Sequence, residues 1–572
     1  MRNLCLTAAV AVGLATLATA AQKAELKQFH VPVRMRDGVT LYANVFLPGP
    51  EIAPRVRVPA ILVRTPYGKW DELSANYQAL VDHGYAVVVE DVRGRYESDG
   101  TFQPLTQEPA DGSDTIDWIA RQPWSDGKVG MAGGSYLGIA QWKAALAGNP
   151  HLKAIFPVVS GNDDYRDRFY SPGGAAKLGN RLEWMSENLN VFGYHPDFTR
   201  FIWHLPLLTA DVAATGRESE MYQQALAHPA FDGFWQAIST REHLDKIRVP
   251  VFAVGGWYDN FVESDLDAFS ALHKSSGLNR VLVGPWPHNM SIKFPGVDFG
   301  PDSSAPIRAL EIEWFDQWLM GKDTPLVSQP PVKVFLMGAN RWIEAREWPP
   351  EGARAHDFYL QSAGNANTLA GDGALAEGPL QRMPRQSADR FVFDPRNPAP
   401  TRGGAVCCNP RIFPWGPMDQ RPVEERRDVL VYSTPPLRHD VEIMGPVKAV
   451  LYVSTSVRDT DFTAKLVDVF PDGTARNLTD GILRLRYRNS LEQAEPAQPG
   501  QIYQVTVDAG VTGNVFLKGH RIRLEISSSN FPRFDRNPNT GTAVARETRL
   551  LKASQTLYHD RKHPSRLVLL VM

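Results

Sequence analysis

The chain is poor in cysteine, with three in 572 residues, at positions 5, 407 and 408. Cys5 lies in a leader-like N-terminus and the other two are neighbours, so no disulfide framework staples distant segments together. Cys407 and Cys408 remain either free thiols or a vicinal disulfide. With no further cysteine and no histidine nearby they offer no metal set, and they are expected to be dispensable for chemistry. An excess of one charge sign is also missing. Lysine and arginine number 61 against 63 acidic residues, a net charge of −2, and there is no long basic run. Nothing therefore points to nucleic acid or a membrane surface as a partner. Fixed-period repeats and low-complexity tracts are absent as well, so nothing marks a solenoid.

Long apolar runs are confined to the N-terminus. Arg2 precedes an apolar stretch from Leu4 to Leu17, followed by the small-x-small triplet Ala18-Thr19-Ala20. Residues 1–20 read as a cleavable signal peptide, with an uncleaved anchor as the competing reading. The expectation is a secreted or periplasmic protein with no stable membrane span after cleavage.

What the chain does have is length. At 572 residues it exceeds what one core can serve, so two or three domains are expected. Phe29–Pro48 reads as two alternating strands around Asp37-Gly38. Buried apolar runs at Val58–Val63, Tyr85–Glu90 and Phe156–Val159 alternate with helical stretches near Glu72–Asp82 and Asp111–Arg121. That rhythm predicts a parallel, doubly wound sheet. It stops between about 163 and 245, where aromatics, arginines and helix formers predict a helical cap inserted over the site. It resumes with Val249–Asn260 and Arg280–His288. From Val332 alternating strands dominate, which predicts a C-terminal all-β domain of jelly-roll or sandwich type. The expected fold is thus α/β, with an α/β-hydrolase domain over 24–330, a cap insertion, and a β domain over 332–572.

The stretch Val129-Gly130-Met131-Ala132-Gly133-Gly134-Ser135-Tyr136-Leu137-Gly138 organises the first domain. Strand, glycine-flanked turn, serine and helix form the layout of a nucleophile elbow. By itself the motif is also compatible with an ordinary strand–helix turn. It departs from the strict form, since Leu137 stands two residues after the serine and the glycine follows at 138. Acyl transfer by serine needs a base and an acid to orient it, and α/β-hydrolases supply them in the order Ser, acid, His. Ser135, Asp259 and His288 occur in that order, each just beyond an expected strand, where α/β sheets place their sites. Taken singly, Asp259 is a turn residue and His288 a loop histidine; the agreement of three positions carries the assignment. The backbone N–H of Tyr136 is the first oxyanion donor, and the loop Arg64–Gly68 is where the second is expected.

The variant G-x-S-Y-x-G resembles the CocE/NonD hydrolases, a peptidase S15-like family of esterases, β-lactam acylases and X-Pro dipeptidyl-peptidases. The likeness extends to Val334–Gly338 with Trp342, Gly403-Gly404, Gly416-Pro417, Gly519–Arg523 and Ser527–Pro532, and so to nearly all of the mature chain. It implies the same triad and makes the Tyr67 hydroxyl the second oxyanion donor, a packing tyrosine being the alternative. It implies a serine hydrolase that cleaves small acyl esters or amides through an acyl-enzyme, and the leader makes it an exported one; no cofactor and no metal are expected. The partner expected is a small-molecule ester or amide; the oligomeric state is open, a homo-oligomer included. An X-Pro dipeptidyl-peptidase would need acids to hold a substrate ammonium, for which Asp163, Asp164 and Glu183 are candidates. A β-lactam acylase is the other enzymatic alternative, and a carbohydrate-binding protein with an inactive hydrolase domain is the non-enzymatic one. Trp184, Phe192, Tyr194 and Trp203 are either pocket aromatics or the cap's own core.

Overall fold

A computed structural model describes residues 26–49, 51, 57–378 and 387–572. The signal-peptide reading and Cys5 lie outside the described residues. The first sheet has ten strands: β1 (Lys27–Arg34), β2 (Thr40–Phe46), β3 (Val58–Thr65), β4 (Ala86–Asp91), β5 (Ser125–Gly134), β6 (Leu152–Val158), β7 (Phe252–Tyr258), β8 (Arg280–Pro287), β9 (Val332–Leu336) and β10 (Arg341–Ala345). Their spatial order is β1-β2-β4-β3-β5-β6-β7-β8-β9-β10. β1 and β2 pair antiparallel around the Asp37-Gly38 turn, and β2 is antiparallel to β4. From β4 through β9 every pairing is parallel. Strands such as Val58–Thr65 and Ala86–Asp91 are buried along their whole length, as helices on both faces of a parallel sheet require. Those helices include α1 (Ala75–Asp82), α2 (Glu108–Ala120) and α3 (Tyr136–Leu146).

Two strands from Val332 onward extend the first sheet. β9 lies parallel to β8, with Val281 opposite Val332, and β10 closes an antiparallel hairpin with β9. β10 is the partly exposed edge of this sheet, while β9, between β8 and β10, is mostly buried. The β-rich part starts with the strand Arg354–Gln361. It is an eleven-strand, mainly antiparallel system built around the long pair Val441–Thr455 and Tyr503–Phe516.

Between β6 and β7 the described residues are helical, from a π-turn at Asp164–Phe169 through α4 (Leu178–Asn188) to a 3-10 segment at Thr240–Lys246. α4 and the short helices after it share a small core that includes Leu182, Met185, Phe201 and Tyr222. The β-rich part grips this cap directly. Gly179 N–H donates to Pro532 O at 2.8 Å, and Arg484 N–H donates to Gly173 O at 2.9 Å. Among the described residues no helix is long and apolar enough to cross a membrane.

Candidate active site

Ser135 stands between β5 and α3 with φ 58° and ψ −125°, a left-handed conformation that a serine adopts only when the surrounding turn enforces it. Two glycines make the turn sterically feasible. A Cβ on Gly133 (φ 123°) would lie 2.6 Å from Leu137 Cβ, and one on Gly138 would lie 2.5 Å from Ser160 Cβ. The unusual Leu137 is thereby explained. It fills the space above Gly133, while the glycine needed against the end of β6 is the next residue.

His288 follows β8 and Asp259 follows β7. His288 Nε2 lies 3.0 Å from Ser135 Oγ, and His288 Nδ1 lies 2.8 Å from Asp259 Oδ1. A carboxylate can only accept, so Nδ1 carries the proton and Nε2 turns its lone pair to the serine hydroxyl. Asp259 is fully buried, and its other oxygen accepts from Phe261 N–H at 3.3 Å. The structure thus brings together the three residues that the sequence placed 124 and 29 positions apart (259 − 135 and 288 − 259).

Tyr67 also reaches this point. Its loop leaves β3, which pairs with β5, and its hydroxyl interacts with the Ser135 side chain. Trp184 Nε1–H donates to the same phenolic oxygen at 3.1 Å, which leaves the phenol's own proton for another acceptor. Burial raises the Tyr67 pKa above the ordinary tyrosine value, so the group stays a neutral donor. Tyr136 is the first residue of α3, and its amide has no acceptor within the helix. Its ring is buried, stacks against Trp184, and donates its hydroxyl to Glu108 Oε1 at 2.9 Å.

Beneath the elbow lies a charged cluster that sequence reading missed. The fully buried Arg64 bonds Glu90 at 2.7 Å and also Glu108, which in turn holds Tyr136. Burial pushes the Glu90 carboxyl up to about 7, although Arg64 pulls it back towards ionisation. The cluster ties β3, which leads into the Tyr67 loop, together with β4 and α2 to the first residue of α3, next to Ser135.

Above Ser135 opens a cavity of about 440 Å³ between the sheet and the cap. Phe102, Leu105, Ile139, Phe169, Trp184 and Phe261 give it apolar walls. Of the four cap aromatics, only Trp184 lines it. Phe192 is fully exposed, Tyr194 and Trp203 are more than a third exposed, and Trp203 packs on Phe531. Arg181 also faces the cavity, its guanidinium 4.2 Å over the Phe169 ring. Burial and the neighbouring Arg168 lower its pKa to about 10, and its Nε has no partner among the described residues. Asp163 and Asp164 point elsewhere, to Arg166 and to Lys143 and Arg168. Glu183 accepts from Cys408 N–H at 2.8 Å.

The two cysteines contradict their expected distance from the chemistry. Cys407 and Cys408 are bonded to each other and line this cavity. Their sulfurs and a ring nitrogen of His288 all lie within 4.8 Å of one another. The histidine that seemed missing is 119 residues away in sequence (407 − 288) and is supplied by the first domain.

Comparison with known proteins agrees with this architecture. Residues 37–290 match the X-Pro dipeptidyl-peptidase (S15 family) model, and residues 326–568 match the X-Pro dipeptidyl-peptidase C-terminal non-catalytic domain. The chain is 40% identical to a cocaine esterase from Rhodococcus sp. (strain MB1 Bresler), over 94% of this chain and 97% of that one. A solved α-amino acid ester hydrolase superimposes with a TM-score of 0.81 at 27% identity, covering 96% of each chain. The fold is shared too with a CocE/NonD family hydrolase from Staphylococcus aureus, at a TM-score of 0.68 and 19% identity, over 96% of this chain and 94% of that one. The chain belongs to the CocE/NonD, peptidase S15-like family of serine hydrolases.

Proposed function

We propose that the protein is an exported serine esterase acting on small acyl esters through an acyl-enzyme. Ser135 Oγ attacks the ester carbonyl while His288 Nε2 takes its proton, and Asp259 holds the imidazole and offsets its positive charge. The Tyr67 hydroxyl and the Tyr136 amide stabilise the tetrahedral oxyanion. The proton on His288 then passes to the departing alkoxide, and water, activated by the same imidazole, releases the acid. The observation that carries this reading is the Ser135–His288–Asp259 chain of contacts, 3.0 and 2.8 Å, at the foot of a cavity lined by both apolar and charged side chains.

Ester cleavage is read ahead of dipeptide cleavage because a relative at 40% identity over 94% of this chain is a cocaine esterase. Asp163 and Asp164 pair with Arg166, Lys143 and Arg168, so neither is a free carboxylate for a substrate ammonium. The test is a screen of p-nitrophenyl esters, Xaa-Pro-anilides and acyl-β-lactams with the wild type and Ser135→Ala. Ester turnover that vanishes in Ser135→Ala, with organophosphonate labelling at Ser135, is the expected result. Turnover restricted to Xaa-Pro-anilides or to acyl-β-lactams would replace the esterase reading. No labelling at all would favour an inactive, carbohydrate-binding protein. Export rests on residues 1–20, and N-terminal sequencing of protein recovered outside the cytoplasm should begin after Ala20.

A further inference from the structure

Cys407 and Cys408 are the chain's only cysteines besides Cys5, and both stand beside His288. The cap holds them there. Cys407 N–H donates to Asn180 Oδ1 at 3.3 Å and Cys408 N–H donates to Glu183 Oε2 at 2.8 Å, both acceptors lying on α4. As a disulfide the pair is a poor ligand. Two-electron reduction changes that: two external thiols become one disulfide, and each cysteine sulfur gains one electron and one proton. A divalent ion that displaces those two protons would meet two thiolates and an imidazole, the Cys2His set that zinc accepts while keeping a fourth position open. Ligand atoms on one tetrahedral zinc stand about 3.5–3.8 Å apart, given the usual Zn–S and Zn–N lengths. The three atoms lie within 4.8 Å of one another here, and once the bond between the two sulfurs is broken, rotation of the freed cysteine side chains can separate the sulfurs and bring all three atoms to that spacing. Asp259 already bonds His288 Nδ1, which leaves Nε2 for the metal and puts a carboxylate behind the ligating imidazole, as zinc histidines characteristically have.

We propose that the reduced Cys407–Cys408 pair and His288 form a binding site for Zn²⁺ or another thiophilic divalent ion, and that its occupancy switches the hydrolase off. The ion and Ser135 compete for the same Nε2, so binding removes the proposed base from the reaction. The loss of activity rests on the role proposed for His288; the binding itself does not, and the two are measured separately.

The full chain is reduced with a trialkylphosphine, which leaves as its oxide with oxygen from water and does not compete as a thiol ligand. It is then titrated with Co²⁺. One ion per chain, with sulfur-to-cobalt charge-transfer absorption that Zn²⁺ abolishes, is expected from the reduced chain and not from the oxidised one. Zn²⁺ should lower ester hydrolysis by the reduced chain at least tenfold, and a chelator should restore it. Cys407→Ser/Cys408→Ser should show neither the absorption nor any change on Zn²⁺ addition relative to its own metal-free rate. His288→Ala should bind Co²⁺ at least tenfold more weakly. Absence of the charge-transfer band in the reduced chain overturns the site, as does equal zinc sensitivity in the double serine variant. Unchanged affinity in His288→Ala removes the histidine from the ligand set, and tight zinc binding with undiminished hydrolysis overturns the switch.

Discussion

At the scale of single residues, the hydroxyl of Tyr67 is the most informative atom to remove. It faces Ser135 and accepts from Trp184, so its own proton is free to follow charge developing on a bound carbonyl. An oxyanion donor acts mainly in the transition state, so its loss lowers kcat more than it raises KM. Tyr67→Phe should cost about 10²–10³ in kcat with little change in stability. Single-turnover acylation by a p-nitrophenyl ester checks this, and a rate within a few fold of wild type returns Tyr67 to a packing role. Glu183 offers a second test. Burial, and then Glu187, push its carboxyl up to about 8 from the ordinary 4.5. A raised carboxylate pKa stabilises the fold below the unfolded value and loses that contribution as pH rises through the folded one. Glu183→Gln should therefore match the wild type near pH 4.5 and melt about 1–3 °C higher above pH 8. Thermal unfolding of the two proteins across that range reads the difference directly. A constant gap at all pH values would show that the carboxyl does not titrate in this window.

At the scale of elements, the elbow depends on a close approach between α3 and the end of β6. A methyl group on Gly138 would lie 2.5 Å from Ser160 Cβ and 2.8 Å from its Oγ. Gly138→Ala should destabilise by about 1–3 kcal/mol, as overpacking in a buried site does, and should tilt Ser135 away from His288. Ser160→Gly removes the obstructing atoms, so the double variant should recover most of both losses. Urea denaturation and kcat/KM, measured on the single and double variants, make the cycle. Additive losses in the double variant would place the constraint somewhere other than this contact. Elements also show what composition does not reveal: β9 and β10 pair on from β8 and extend the first sheet, while the match to the C-terminal domain begins at residue 326.

At the scale of the whole molecule, the cap is held by the β-rich part as well as by its own small core. Arg484 is buried between Asp461, at 2.9 Å, and Asp535, at 2.8 Å. Asp535 in turn accepts from Ala176 N–H at 2.9 Å at the base of the cap. Arg484→Met would leave two carboxylates buried without their counter-ion, a loss of about 3–5 kcal/mol. The cap should loosen with it, raising KM for esters more than it lowers kcat. Hydrogen exchange over residues 170–188 and steady-state kinetics test the coupling. Faster exchange without a KM change would separate the anchor from substrate binding.

The sequence by itself determined the α/β rhythm, the elbow, the order Ser135, Asp259, His288, and the place of the cap. These are legible because they rest on local rules: buried strands are continuous apolar runs, sharp turns demand glycine, and parallel strands deliver their C-terminal loops to one edge. Only the tertiary structure decided what the β-rich part contributes to the site. No periodicity relates Cys407 and Cys408 to His288, or Glu183 to Cys408. Those contacts form when a distant loop packs against α4, through hydrogen bonds whose partners are separated by more than a hundred residues. The same holds for Arg64, whose polar side chain inside a strand of the core reads as an anomaly until Glu90 and Glu108 close around it. Local pattern reports which face a residue turns inward, but the identity of its buried partner is settled by packing between segments that sequence distance does not constrain.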